Sequence, residues 1–335
     1  MRNTTLAGIV AGLVLLVAAC GDDAAAPPAT TERATIPATI EPATIEPATI
    51  PATTEPATTE PAPETTERAG EETDGTGFPR AIISLSPTAT EMLFAIGAAD
   101  QVLAVDDLSN YPPEAAEKMQ GLSAFEPNIE AIAGMEPDLV VTDGTNPDLL
   151  EQFDRLDIDH WEGVAATSFD DVYAQIEELG AVTGRVGESA ALVEQMKADV
   201  AAVVDGLPGL GEPLTYYHEL DNTYYSVSSQ TFIGAVYDQI GLVNIVDQAG
   251  EDLGLYPQLS AEFIIASNPD LIFLACTKYC GESAETVAAR PGWDSIDALA
   301  EGGVIEMDDD IASRWGPRIV EYLQIAGEAV RAAAS

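Results

Sequence analysis

The chain has 335 residues and a formal net charge of −44, from 57 acidic against 13 basic residues. That balance repels nucleic acid and anionic lipid surfaces, and it leaves a polyanionic ligand short of cations unless several cluster at one place. Only His160 and His218 are available as histidine bases, and there is no Gly-x-Ser-x-Gly elbow, His-Glu-x-x-His helix or phosphate loop. Ser86-Pro87 reads as a helix cap and not a nucleophile. His218-Glu219-x-Asp221 reads as strand or cleft lining in preference to a metal site. No catalytic residue, metal or cofactor is expected.

Residues 1–20 read as an export signal. Arg2 supplies a positive start, and Leu6 to Ala19 is an apolar run of about fourteen residues, short for a bilayer span. The run ends Val17-Ala18-Ala19-Cys20-Gly21, which resembles a bacterial lipobox. The resemblance implies that Cys20 becomes the mature N-terminus and carries lipid, and two or more acyl chains hold a protein stably at a membrane. The alternative is an ordinary cleaved signal with an incidental Cys20. Residues 21–77 then repeat a five-residue Ala-Thr-x-x-Pro unit. Frequent proline and the lack of an apolar face predict a disordered Pro/Thr/Glu-rich tether, spanning on the order of 40 Å as a coil.

From residue 78 onward apolar runs alternate with helical patterns, which indicates an α/β fold. Strands are predicted at Ala81–Ser84, Gln101–Val105, Leu139–Thr142 and Ile158–Trp161, then at Leu214–Glu219, Leu271–Ala275 and Val304–Met307. Between these groups Val182 to Leu207 carries apolar residues at helical spacing, among them Val186, Ala190, Val193, Met196 and Val203, and Pro208-Gly209 stops it. The expected layout is an N-terminal lobe over 78–181, a linking helix over 182–208 and a C-terminal lobe over 209–335, with a closing helix near Arg318–Ala334. Cys276 and Cys280 sit four apart with no usual metal ligand between them. Outside a reducing compartment they form a local disulfide or remain free thiols.

An internal repeat is the most informative signal. Asn128-Ile-Glu-Ala-Ile-Ala-Gly-Met-Glu-Pro-Asp-Leu-Val-Val141 aligns without gaps to Ser260-Ala-Glu-Phe-Ile-Ile-Ala-Ser-Asn-Pro-Asp-Leu-Ile-Phe273. Each copy offers an N-cap, an acid two positions on, a short helix and a buried strand. Two equivalent units suggest two related lobes with a ligand cleft between them. Capping alone accounts for the acids Glu130 and Glu262 in each copy, but not for their matched placement.

At this point the chain resembles a known family, the periplasmic binding proteins for vitamin B12 and iron–siderophore complexes. The likeness rests on Arg80-Ala-Ile-Ile-Ser-Leu-Ser-Pro-Thr-Ala-Thr-Glu91, Ser109-Asn-Tyr-Pro-Pro113, Tyr256-Pro-Gln-Leu-Ser-Ala-Glu262 and Arg314-Trp-Gly-Pro-Arg318, in that order. It implies two Rossmann-like lobes joined by one long backbone helix, with the ligand in the cleft. It further implies that Glu130 and Glu262 dock onto the transmembrane subunits of an ABC transporter, where exposed ion pairs set orientation and capture rate. Carried over by position, ligand contacts fall at Leu108, Phe125, Asp143, Tyr256 and Arg314. Leu108 and Asp143 stand where the B12-binding relative has aromatics, and Tyr111, Tyr224, Tyr225 and Trp315 in neighbouring loops compensate. The implied function is an extracytoplasmic lipoprotein, monomeric, that binds cobalamin or a related corrinoid. A ferric siderophore or haem is the alternative cargo, and a surface adhesin is a more distant reading.

Overall fold

A computed structural model describes residues 77–250 and 253–335. The export signal, Cys20 and the tether as far as residue 76 lie outside the described residues. Two parallel sheets organise the rest. The first contains β1 (Ile82–Ser84), β2 (Val102–Asp106), β3 (Met119–Leu122), β4 (Leu139–Thr142) and β5 (His160–Glu162) in the order β3-β2-β1-β4-β5. The second contains β6 (Thr215–Glu219), β7 (Val243–Asn244), β8 (Leu271–Leu274) and β9 (Val304–Glu306) in the order β7-β6-β8-β9. Parallel neighbours need long crossovers, and helices supply them. These are α1 (Pro87–Ala95), α2 (Pro113–Ala116), α3 (Ile129–Gly134), α4 (Pro147–Arg155) and α5 (Phe169–Thr183) in the first half. In the second half they are α7 (Phe232–Gln239), α8 (Ala261–Ser267), α9 (Ala284–Ala288), α10 (Asp297–Glu301), α11 (Asp309–Ser313) and α12 (Ile319–Ala333), with α6 (Val186–Asp205) between the halves.

All seven expected strands appear, shifted by at most two residues. The two that the sequence did not announce are edge strands: β3 reads Met-Gln-Gly-Leu with Gly121 at φ 70°, and β7 has two residues. The linking helix is shorter than its apolar pattern. Gly184, left-handed at φ 75°, closes α5 after Thr183, so Val182 belongs to the preceding helix. At the other end Gly206 caps α6 before Pro208-Gly209 is reached. The buried stripe of α6 runs through Ser189, Val193, Met196 and Val203, while Val186 and Ala190 are exposed. A side chain at Gly180 would overlap Ser189, so the α5–α6 contact requires that glycine.

Alternating side chains in each strand serve two cores, as the pleat demands. Ile82 and Val141 of the first sheet, and Tyr216 and Phe273 of the second, face one continuous apolar cluster shared with α1, α5, α6, α7 and α12. Ile83 and Val140 face a separate cluster with Phe153 of α4, and Tyr217 and Ile272 face another with Trp293. Each sheet thus has a private outer core, and both rest on a common inner one.

The repeated segments occupy equivalent places. Asn128 and Ser260 accept from the N–H groups of Ala131 and Phe263, capping α3 and α8. Asp138 Oδ2 accepts from the Arg80 and Ala81 N–H groups at 2.8 and 3.0 Å, just ahead of β1. Asp270 Oδ2 accepts from the Thr215 N–H and hydroxyl, both at 2.7 Å, at the start of β6. Both copies also place a left-handed residue before the Pro-Asp pair, Glu136 at φ 51° and Asn268 at φ 43°.

Candidate functional site

In an open parallel sheet, ligands gather beyond the strand carboxyl ends where the strand order reverses. In the first sheet that point lies between β1 and β4. Beyond it are Leu85, Pro87 and Asp143, which with Leu108, Phe125 and Pro147 bound a cavity of about 350 Å³. Pro87, Leu108 and Asp143 also bound a neighbouring cavity of about 240 Å³, whose other walls are Tyr279, Asp310, Arg314 and Trp315 from the second half. The two form one groove with contributions from both halves of the chain.

A buried polar chain sets the groove's floor. Ser86 caps α1, accepting from the Ala89 N–H. The Ser84, Thr90 and Ser109 hydroxyls and the Asp106 carboxyl lie in sequence at 2.8 to 2.9 Å, with Thr90 donating to Ser84 and Ser109 donating to Asp106. Asp106 Oδ1 accepts from the Leu108 N–H at 2.7 Å, fixing the loop that carries Leu108. Burial pushes the Asp106 carboxyl up, against the hydrogen bonds it accepts.

An ion cluster forms the side wall. Arg314 donates to Glu91 Oε1 (2.9 Å), Asn110 Oδ1 (3.0 Å), Leu108 O (3.0 Å) and Asp310 Oδ1 (2.8 Å). Arg318 Nε donates to Glu91 Oε2 at 2.9 Å. Glu91, 3% exposed, therefore joins the Ser-Pro-x-x-Thr-Glu motif to the closing Arg-x-x-x-Arg motif. Lys278 Nζ and Asn110 Nδ2 donate to Asp310 Oδ2 at 2.7 and 2.9 Å. Burial alone would raise the Asp310 carboxyl, but these donors and the Arg314 charge outweigh it and hold it below its ordinary value.

Among the expected ligand residues, Leu108, Phe125, Asp143, Arg314 and Trp315 border the groove. Phe125 is 81% exposed at its rim. Asp143 accepts from the Thr145 N–H and hydroxyl at 3.0 and 2.8 Å. The Trp315 indole N–H donates to Gln175 Oε1 at 3.1 Å. The Arg314 guanidinium serves the ion cluster, so its donors face protein acceptors. Tyr111 lies elsewhere: with Phe94 and Arg318 it borders a separate cavity of about 490 Å³, and the Arg318 guanidinium sits 4.2 Å from its ring. Tyr225 and Tyr256 are exposed on two segments joined by an antiparallel Tyr225–Gln258 bridge, and they line neither part of the groove. Glu219 is buried in a bidentate pair with Arg290, and His218 is buried against Tyr237, so neither is free to meet a ligand. Glu130 and Glu262 are exposed in the first turns of α3 and α8. Cys276 and Cys280 are joined in a disulfide. Tyr279, between them, borders the groove but was not anticipated. Its signal is positional, a loop directly beyond the carboxyl end of β8. Among the described residues no cluster of three metal-ligating side chains occurs.

Parallel sheets bridged by a backbone helix, with a groove between contributions from both halves, define a solute-binding protein, and the family comparison agrees. The periplasmic binding protein family model matches residues 82–311, and the chain belongs to that family, in the class that serves ABC transporters. It is 28% identical over 250 residues to the cobalamin-binding protein of Halobacterium salinarum, covering 72% of this chain and 67% of that one. It is 26% identical over 260 residues to the ABC transporter substrate-binding lipoprotein YvrC of Bacillus subtilis, covering 75% and 80%. The periplasmic haem-binding protein RhuT from Roseiflexus sp. RS-1 shares the fold, with a TM-score of 0.67 at 23% identity over 77% of this chain and all of that one. All three are named as binding proteins.

Proposed function

We propose that this chain is the extracytoplasmic solute-binding component of an ABC importer and that its cargo is cobalamin or a related corrinoid. The observation that carries the reading is the charge balance of the groove. Each cation around it is already engaged, Arg314 by Glu91 and Asp310, Arg318 by Glu91, and Lys278 by Asp310, and with Asp143 on the groove three carboxylates stand against the three cations. An anionic ferric chelate would have to break these pairs, and partly buried pairs resist the loss of one partner. Cobalamin is close to neutral and edged with amides, so it needs apolar surface and scattered hydrogen-bond groups. Leu108, Phe125, Asp143 and Trp315 supply both. The name of the Halobacterium relative points the same way.

In this reading the segments 78–181 and 209–335 act as the two walls of a monomeric carrier, and Cys20 carries the lipid anchor. Glu130 and Glu262 then dock the carrier onto the transmembrane subunits. Both stand exposed with no ion-pair partner among the described residues, on equivalent short helices. Calorimetric titration of the folded domain with cyanocobalamin, hemin and a panel of ferric chelates tests the cargo. Saturable binding of cyanocobalamin alone is the expected result. Preference for hemin or a ferric chelate would overturn the cargo, and silence toward all of them would favour an adhesin. Reversing charge at both Glu130 and Glu262 should abolish uptake while leaving cargo affinity unchanged.

A further inference from the structure

The loop that closes the groove from the second half is built with unusual rigidity. Cys276 follows β8 directly, and its disulfide to Cys280 ties off a five-residue loop with Cα atoms 5.1 Å apart. Inside that loop the Asp309 carboxylate accepts from three successive N–H groups, those of Thr277 (2.8 Å), Lys278 (2.9 Å) and Tyr279 (3.0 Å). The Thr277 hydroxyl donates to Met307 O at 2.6 Å, which fastens the loop to the end of β9. Such anchoring leaves little freedom to lose on binding.

What the loop presents is Tyr279. Its hydroxyl donates to Asp310 Oδ1 at 3.2 Å, so its polar end is satisfied within the protein. The residue is 59% exposed and borders the groove, with Lys278 Nζ over its ring 5.0 Å from the centre. A phenol that is bonded at its tip and has an ammonium over one face can still offer flat apolar area to a partner with the other. Across the groove stand Leu108 and Phe125 from the first half.

We propose that Tyr279 is a ligand-contacting, specificity-determining residue of this groove, and that the Cys276–Cys280 loop positions it, so that reducing the disulfide lowers affinity without unfolding the protein. The inference rests on the reading of the groove as a binding site for a large flat solute. It adds a contact and a redox dependence to that reading. The disulfide is a positioning element: it touches no ligand and acts only through Tyr279.

The test is a double-mutant cycle on the folded domain, with cyanocobalamin, hemin and ferric chelates as probes. Tyr279→Ala should weaken binding of the recognised probe about tenfold or more, and Tyr279→Phe by about threefold or less. The Cys276→Ser/Cys280→Ser pair, or reductant on the wild type, should weaken it about three- to tenfold, with the thermal transition still cooperative. In the Tyr279→Ala background, loss of the disulfide should have no further effect on affinity. A purely structural disulfide would instead give additive losses. Hydrogen exchange at Thr277, Lys278 and Tyr279 should accelerate on reduction while the strand amides keep their protection. If the wild type binds a probe and Tyr279→Ala binds it equally, or if the losses add, this inference alone is overturned. If the wild type binds none, the reading of the groove falls and takes this inference with it.

Discussion

The two sheets share one plan and use it differently. In register, Ile82 pairs with Leu139 as Tyr216 pairs with Leu271. Leu85, just beyond β1, therefore corresponds to Glu219, at the end of β6. Leu85 borders the groove. Glu219 is bound bidentately by Arg290, at 2.6 and 2.7 Å, and Arg290 also reaches Glu282. Tyr224 and Trp293 flank the guanidinium. Burial works against the Arg290 charge, but its two carboxylate partners more than compensate and hold its pKa above the ordinary value. The first half thus keeps its strand-end crevice open, and the second fills the equivalent place with salt bridges and aromatics. Internal repetition does not imply two binding sites; the side chains gathered at the strand end decide which copy stays empty.

The largest test of this contrast is Glu91→Ala. It removes the acid that both Arg314 and Arg318 engage and leaves two largely buried cations short of partners. A loss of about 3–5 kcal/mol is expected, measured by urea unfolding, together with a disordered groove wall. Ligand affinity that survives with unchanged stability would show that the cluster is not the wall.

Acid should strike the second half next. His218 is fully buried, with Nδ1 2.8 Å from the Tyr237 hydroxyl, and burial lowers its pKa from 6.5 to about 3. Between those values the unfolded chain binds the extra proton, so stability falls as pH falls, by about 1.4 kcal/mol per unit. At pH 4.5 the loss is about 2–3 kcal/mol relative to neutral pH. His218→Asn should flatten this slope in a pH series of unfolding curves. The first sheet carries Ser84, a side chain that does not titrate in this range, at the equivalent strand position.

Phe125→Ala comes third. The side chain is almost wholly exposed at the groove rim, so stability should be unchanged while cargo affinity drops by about 1 kcal/mol or more. The smallest effect compares the two left-handed residues. Glutamate tolerates that conformation less well than asparagine. Glu136→Asn should therefore gain about 0.5–1 kcal/mol, whereas Asn268→Glu should lose more than that, because the Asn268 amide also donates to Asp297 Oδ2 and accepts from the Asp297 N–H. Equal melting temperatures for both variants and the wild type would remove backbone strain from the account.

The legible parts of the fold were those with local chemistry. The repeat named both capped helices, both Pro-Asp corners and both central strands, because caps and buried runs are written in adjacent residues. Edge strands β3 and β7 escaped because they bury little and carry no alternation. The end of α5 escaped because Gly184 interrupts an apolar pattern that continues on either side of it. For the groove, the family resemblance carried Leu108, Phe125 and Asp143 to positions that border the two cavities. Tyr111, Tyr225 and Tyr256 stand outside those cavities, because which side of a loop a ring occupies depends on contacts distant in sequence. Arg314 was read as a ligand contact; three of its four acceptors, Glu91, Leu108 O and Asn110, are more than two hundred residues away.

That separation bears on how the molecule comes into being. The wall of the groove needs Glu91 and Arg314, 223 positions apart along the chain. Contacts of such sequence span close late, because the intervening chain must first give up its freedom. A nascent polypeptide that has completed its first sheet still lacks the arginines. Competence to capture cargo therefore waits until Arg314 has been made, and a product cut short before it would hold half a groove and no grip.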